Sequence, residues 1–260
     1  MDNSITKSGL DKIESSPLDY WWHYRNPKAP GIDDKTAKKI AFDTALRCAI
    51  LQPDKFNKTY VKMPSINTRT NIGKAELQSL SATVQHNEQL LISSSDFEAI
   101  MYMRESVLKN PACIQIFDSG SAENYKEFQE PSTGVEIKFK SHWQDEINGI
   151  IVHLSSCTDA SESTFSKDAF NFRNHKRVAI YLDGYSEIGN QQEGFVFVNI
   201  ENSAPYKVSI LTLDDRSVEF GRETYIKNCE TYAECLRTDK WPGLKPTVES
   251  VSLPEWAFKN

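Results

Sequence analysis

Apolar residues in the first 110 positions recur at helical spacing, three and four residues apart. The segment from 36 to 51 carries the clearest stripe, and Pro53 ends it. The stripe consists of Ile40, Ala41, Thr44, Ala45, Cys48 and Leu51. Ser8 and Ser93 each stand three residues before an aspartate, a pattern typical of helix N-caps. We therefore predict a mostly helical part over residues 1–110.

Beyond this part the pattern changes to the short apolar runs that are typical of strands. Strands are predicted over Tyr125–Phe128, Val135–Lys140, Ile150–Leu154, Gly194–Ile200 and Tyr206–Leu213. The first two are joined by a turn at 131–134, where Pro and Gly favour chain reversal. Helices are predicted over Asp168–Leu182 and Asp214–Leu236, and we expect Trp256 in the tail to dock on the fold.

The chain shows no internal repeat, low-complexity tract or linker. We therefore expect residues 1–260 to form one domain, in which residues 111–260 hold the sheet core and the C-terminal helix. A hydrophobic fraction of 39% is enough for a sizeable core. No apolar run is long enough for a membrane span and no signal peptide is visible, so we expect no membrane contact and a cytoplasmic location.

The formal net charge of −6 gives no support for non-specific affinity for nucleic acid, because that affinity depends on neutralising phosphates with Lys and Arg. Net charge says little about distribution, so a local basic groove stays compatible with it. The five cysteines are scattered without zinc-finger spacing, and we expect reduced thiols.

Several segments, taken in order along the chain, resemble the RecE-type (exonuclease VIII-like) exonuclease domain of the PD-(D/E)XK nuclease superfamily. They include Phe42–Arg47, Thr158–Ser161, Ala179–Gly184, Trp241–Gly243 and Leu253–Ala257. The resemblance implies an α/β fold with a central mixed β-sheet flanked by helices and a helical N-terminal region. It also implies an enzyme that degrades one strand of duplex DNA from its 5′ end with Mg²⁺.

The resemblance places the catalytic positions of that family on residues that have mostly changed. The His of the family's early helix corresponds to Arg47, and its two metal-binding Asp correspond to His142 and His153. The catalytic Lys corresponds to Ser155 and the Gln of the later helix to Arg177. The acidic strand residue corresponds to Glu123 or to the competing Glu127. Imidazole is a poor ligand for Mg²⁺, which prefers oxygen donors. We therefore expect Mg²⁺-dependent hydrolysis to be lost and no cofactor to be held.

Several interpretations of these positions stay open. Glu123, His142 and His153 could form a repurposed site for Zn²⁺ or another transition metal, with His175 as a further ligand unless it lies on a solvated helix face. Arg47, Lys140 and Arg177 could bind a phosphate or a DNA end. Alternatively, Arg47 pairs with Asp43 at i, i+4 spacing and closes the cleft.

Other groups carry weaker expectations. The aromatic run Tyr20–Tyr24 could stack on bases, although dense aromatics at a helix end are more typical of core or interface. Asp145 and Glu146 could form a shifted carboxylate site but are expected in a polar turn. The run Thr158–Thr164 is expected to cap the next helix, and Cys157 has no neighbouring base that would make it a nucleophile.

The expected function is that of a catalytically inactive nuclease homologue. On the resemblance, its partners would be double-stranded DNA ends, a single-strand annealing protein or a related nuclease, in a phage or prophage recombination setting, and the chain would form a homo-oligomer. An active exonuclease with an altered metal site is the enzyme alternative. A pure protein-interaction subunit is the third.

Overall fold

The structure, a computed structural model, describes residues 3–29, 31–67, 69–122, 125–244 and 247–258, with the side chains of residues 255 and 256 excepted. The helices are α1 (Lys7–Ser15), α2 (Pro17–Tyr20), α3 (Asp34–Leu51), α4 (Pro53–Thr59), α5 (Asn71–His86), α6 (Ser94–Lys109), α7 (Pro111–Phe117), α8 (Glu162–Asn171), α9 (Asn174–Glu187) and α10 (Asp215–Thr238). The strands are β1 (Ile5–Thr6), β2 (Tyr60–Lys62), β3 (Leu90–Ile92), β4 (Ser121–Ala122), β5 (Tyr125–Gln129), β6 (Glu136–Lys140), β7 (Trp143–Asp145), β8 (Ile150–Cys157), β9 (Gly194–Glu201) and β10 (Val208–Leu211).

The central sheet has the order β10-β9-β8-β7-β4. Strands β8 and β9 run parallel, whereas the other pairs in this sheet are antiparallel. A three-stranded sheet, β1-β6-β5, contains the hairpin predicted at 131–134, and β2 pairs with β3 in a small parallel sheet. The predicted mixed sheet with flanking helices and a helical N-terminal region is confirmed.

Alternate residues of β8 pack into two different hydrophobic clusters, one on each face of the sheet. Val152 and Leu154 pack into the cluster formed with α3 and α6, while Ile151 belongs to the cluster formed with α9 and α10. Because side chains alternate along a strand, His153 and Ser155 share the face of Ile151. The sheet therefore presents both residues to the α9 side.

Helix α3 buries only its C-terminal half. Asp33 caps it by accepting a hydrogen bond from the Thr36 backbone N–H at 3.0 Å. Its buried residues are Ala45, Leu46, Cys48, Ala49 and Ile50, whereas Ile40 is 49% exposed. The predicted stripe is therefore wrong in its first half, because residues 34–41 extend beyond the elements that could cover them.

The helix predicted over Asp168–Leu182 is instead two helices, α8 and α9. They are separated at Arg173, whose backbone is left-handed with φ 53°. A residue in this region cannot continue a right-handed helix. Lys7 Nζ donates to the Phe172 carbonyl at 2.6 Å and Arg173 Nε donates to Glu14 at 2.9 Å. Both contacts come from α1, so local periodicity could not predict the break.

The long C-terminal helix is confirmed as α10, capped by the Asp214 side chain. The predicted strand Tyr206–Leu213 is shorter, because Tyr206 has a positive φ of 57° and the ladder begins at Val208. The side chain of Trp256, which was expected to dock, lies outside the described residues. In the described part of the chain, no helix has the length and apolar character needed to cross a membrane.

Candidate functional site

Two histidines lie face to face where the sheet meets α9. His142 follows β6, and His153 lies on β8. Their rings stack with centroids 4.2 Å apart and an interplanar angle of 26°. The Leu154 backbone N–H donates to His142 Nδ1 at 3.1 Å. Nδ1 is therefore the acceptor, and the neutral His142 ring carries its proton on Nε2.

Arg177 places a guanidinium against this pair. It projects from α9, and its Nη1 lies 2.5 Å from Nε2 and 3.1 Å from Nδ1 of His153. Guanidinium has donors only, so His153 must offer an unprotonated ring nitrogen. Burial lowers the pKa of Arg177, but the group stays cationic because its usual pKa is so high. The structure therefore sets a cation beside a neutral imidazole.

Burial and positive charge lower the pKa of both histidines. For His142 the largest cause is burial, followed by the charges of Arg47 and Arg177. For His153 it is burial, followed by Arg177. The two rings are therefore neutral at pH 7, in a region where Lys7 and Lys140 add further positive potential.

Arg47 lies near His142, and its charge contributes to the lowered pKa of that ring. With His142, Cys48 and Ala122 it lines a cavity of about 10 Å³, which has room for about one water molecule. Arg47 Nη2 donates to Thr44 Oγ1 at 3.0 Å. The predicted positions Arg47 and His142 thus line one small cavity, and His153 and Arg177 adjoin it through the stacking of His153 on His142. We call this region the cleft.

Asp43 and Lys140 do not line the cavity and have other described contacts. The Asp43 carboxylate forms an ion pair with Lys39 Nζ at 3.0 Å and accepts a hydrogen bond from Ser156 Oγ at 2.5 Å. Lys140 Nζ lies over the Tyr125 ring, 4.3 Å from its centroid. Pairing of Asp43 with Arg47 stays a prediction, since the contacts described for Asp43 are to Lys39 and Ser156.

Ser155 stands where the resemblance would place a lysine. Its hydroxyl donates to Asn199 Oδ1 at 3.3 Å, across the parallel pair of β8 and β9. Asn199 is buried, and its Nδ2 has no hydrogen-bond partner among the described residues. A hydroxyl engaged in this way supplies no positive charge to the cleft.

The donors that the structure describes in the cleft do not fit a metal ion. His142 offers a protonated Nε2, and His153 is engaged by Arg177. Among the described residues, no group of three or more His, Cys, Asp or Glu side chains is placed to hold a metal. Glu123, the remaining predicted ligand, lies outside the described residues. Binding a cation here would also require it to approach the Arg177 guanidinium.

His175 does not lie on a solvated face, so that expectation is wrong. It is 7% exposed and stacks between Phe170 and Phe220, with centroids 6.0 Å and 5.2 Å away. His175 Nδ1 lies 3.2 Å from the Ala169 carbonyl oxygen. It precedes Arg177 by two residues on α9, so their side chains leave the helix in nearly opposite directions.

The other candidate residues serve local structure. Asp145 is buried at the end of β7 and accepts hydrogen bonds from Ser119, Ile147 and Asn148 in the neighbouring turns. Ser161 caps α8, as expected for the run Thr158–Thr164. Burial raises the pKa of Cys157 to about 11, so its thiol is a poor nucleophile at neutral pH.

Two further candidates are placed elsewhere. Tyr20 is buried and stacks on Tyr24 and Trp241, which makes it a core residue, although Trp22 is 46% exposed. Glu127 lies on the hairpin strand β5, 3.9 Å from Lys138.

A buried ion network that sequence reasoning missed holds α9 against α1. Lys176 is fully buried, and its Nζ lies 2.8 Å from Asp11 and 2.5 Å from Glu14. Lys7 pairs with Asp11 at 2.6 Å, and burial lowers its pKa to about 8, with a smaller effect from the charge of Arg177. The i, i+4 spacing of Lys7 and Asp11 was visible in the sequence, whereas the link to α9 was not.

Comparisons with known proteins agree with this fold. A crystal structure of a candidate exonuclease from Eubacterium rectale is similar, with 10% identity, a TM-score of 0.59, and coverage of 95% of this chain and 91% of that one. At that identity the likeness shows the fold alone. The structure of SSO0001, with 16% identity over 59% of this chain and 68% of that one, has a TM-score of 0.29 and supports no argument.

No curated protein matches the chain. The model of one family, the PDDEXK-like domain of unknown function (DUF3799), matches residues 23–252, which is most of the chain. Because the match also covers the strands and helices that form the cleft, this chain belongs to that family of PDDEXK-like domains.

Proposed function

We propose that this protein is a nuclease-fold protein that does not hydrolyse DNA and instead binds the terminal phosphate of a DNA end. The observation that carries the proposal is the contact of Arg177 Nη1 with His153 Nε2 at 2.5 Å, beside the stacked His142 ring. In the family that the chain resembles, carboxylates hold Mg²⁺ at the positions of His142 and His153. In this protein the guanidinium cation of Arg177 lies against His153 instead.

The loss of hydrolysis follows from charge and ligand type. Mg²⁺-assisted hydrolysis needs oxygen ligands for the ion and a metal-activated water. The described cleft offers neutral imidazoles, and the Ser155 hydroxyl is bonded to Asn199. Neither imidazole nor alcohol supplies the negative charge that would hold the ion next to Arg177.

The retained affinity for an anion follows from the excess of positive charge. Arg47, Arg177, Lys7 and Lys140 all act on the histidines, and each of them lowers the pKa of at least one ring. In a cleft of low dielectric, such charges attract a phosphate more strongly than they would in water. The existing cavity of about 10 Å³ is too small for phosphate. Arg47 must therefore swing away from Thr44 when the phosphate enters.

The experiment is fluorescence anisotropy with a short linear duplex that carries either a 5′-phosphate or a 5′-hydroxyl. We expect tighter binding to the phosphorylated end and a loss of this preference in Arg47→Gln. A charged hydrogen bond contributes about 1.5–3 kcal/mol, which corresponds to about 10- to 100-fold in Kd. Lys227→Gln on α10 is the matched control, since Lys227 is exposed.

Two results would contradict the proposal. One is equal affinity of the wild-type protein for both ends. The other is metal-dependent loss of linear duplex in Mg²⁺, Mn²⁺ or Zn²⁺ that His142→Ala abolishes, which would support the altered nuclease instead.

The resemblance extends the proposal to a setting. It supports a role in recombination in a phage or prophage, with a single-strand annealing protein or an active nuclease as partner, and a homo-oligomeric state. Light scattering of the purified protein tests the oligomer. A monomer at all concentrations would remove that part of the proposal and leave the phosphate site untouched.

A further inference from the structure

One stretch of this acidic chain, residues 35–75, has a net positive charge and lies between the acidic residues Asp33, Asp34 and Glu76. This stretch contains nine Lys and Arg against two Asp, a formal charge of +7. Since the whole chain carries −6, the other residues together carry −13. The stretch runs through α3, α4, β2 and the first turn of α5. Such a separation of sign exceeds what solubility needs, because a soluble surface is served by interspersed charges.

The basic side chains of this stretch are on the surface. Eight of the nine are exposed, and Arg47 at the cleft is half-buried. They are Lys35, Lys38, Lys39, Arg47, Lys55, Lys58, Lys62, Arg69 and Lys74. Two of them already pair with carboxylates, Lys39 with Asp43 and Lys62 with Glu98. A polyanion that lies along the others would neutralise their charge.

Helix α3 connects this surface to the cleft. Lys35, Lys39, Asp43 and Arg47 follow each other at i, i+4 spacing and form one row along the helix. The row extends over twelve residue steps, or about 18 Å at 1.5 Å per step. It starts in the exposed half of α3 and ends at Arg47 beside His142. Lys39 Nζ also reaches Ser156 Oγ at 3.4 Å, at the end of β8.

We infer that residues 35–75 form the surface on which the phosphate backbone of duplex DNA lies while the end of the duplex is held at the histidine pair. The inference rests on the proposed function, because it assumes that the DNA whose end is bound at the cleft also contacts this surface. A duplex carries one negative charge per about 1.7 Å of its axis. Duplex DNA is therefore a partner whose regularly spaced negative charge suits an extended basic surface.

The test uses the salt dependence of DNA binding. The basic-surface variant combines Lys58→Gln, Arg69→Gln and Lys74→Gln, whose side chains are all exposed. Each phosphate contact that is lost reduces the slope of log K against log salt by about 0.9. We expect the slope to fall by about 2–3 for this variant. The preference for a phosphorylated end should persist, because it depends on Arg47.

The control carries the same change of charge on the other side of the molecule. It combines Lys167→Gln, Arg216→Gln and Lys227→Gln on α8 and α10, which are also exposed. We expect its slope to equal that of the wild-type protein. Both variants are measured by circular dichroism as well, so that a folding defect is recognised.

Covalently closed circular duplex separates the two proposals, since it has no terminal phosphate. If the wild-type protein binds the circle in a salt-dependent way and the basic-surface variant does not, the result supports the proposed DNA-binding surface. This holds even if the protein shows no preference for a phosphorylated end. Equal slopes for the basic-surface variant and the control overturn the surface, even if Arg47→Gln abolishes end preference. Failure of the wild-type protein to bind any duplex at low salt overturns the surface as well, and points to an acidic protein as partner.

Discussion

The stacked histidines should make the free energy of unfolding depend on pH between 7.0 and 5.5. Both have a pKa well below the ordinary value of 6.5 in the folded protein, chiefly because of burial and secondarily because of nearby Arg charges. As pH falls through 6.5, the unfolded chain binds protons that the folded protein does not bind. Stability is therefore present above pH 6.5 and is lost as the pH falls below it.

The magnitude follows from linkage. For a histidine with an unfolded pKa of 6.5 that stays neutral when folded, the free energy of unfolding drops by about 1.3 kcal/mol between pH 7.0 and 5.5. The pair together accounts for about 2.5 kcal/mol. His175, whose pKa is also lowered by burial, adds to the slope of the whole protein. A comparison of variants is therefore needed to isolate the pair.

The assay is urea unfolding at pH 5.5, 6.0, 6.5 and 7.0 for the wild-type protein, His142→Asn and the control His86→Asn. His86 is exposed at the end of α5. We expect the pH-dependent loss to be smaller by about 1.3 kcal/mol in His142→Asn and unchanged in the control. The slope is diagnostic even if His142→Asn is less stable at every pH. Parallel curves for the wild-type protein and His142→Asn would refute the buried, neutral state of this ring.

Two further predictions concern the packing that holds α9. Lys176→Met should lower the free energy of unfolding by about 2 kcal/mol, because it removes the buried cation that Asp11 and Glu14 share, while Lys7 and Arg173 still pair with them; chemical denaturation with Lys227→Met as control measures this, and equal losses would contradict it. Gly221→Ala should cost about 2 kcal/mol or more, since the new methyl would lie 2.3 Å from the His175 carbonyl oxygen. Gly31→Ala, with no atom within 4 Å of its Cβ, should change the melting temperature little, and an equally small shift for Gly221→Ala would disprove close contact of α9 and α10.

Much of the element order could be predicted from residue patterns. The hairpin at 131–134 and the long helix α10 have strong local signals, a Pro-to-Gly turn and an Asp214 cap. The break at Arg173 and the exposed first half of α3 could not be predicted. Both depend on which other element lies alongside, and periodicity carries no information about that.

For the candidate site, sequence by itself determined which residue types stand at the positions that the resemblance assigns to catalysis, and how two of them are placed on one strand. His153 and Ser155 are two residues apart, so any β-strand must present them on the same face. This is a local property of an extended chain and does not depend on the rest of the fold.

Only the tertiary structure decided what surrounds those residues. Arg177 meets His153 across 24 positions of sequence, and Lys176 meets Glu14 across 162. Such contacts depend on where α9 lies relative to the sheet and to α1, and that placement is set by the packing of both cores together. Direct contacts and burial in turn control the pKa of each histidine, so the chemistry of the cleft emerges only when distant segments are packed.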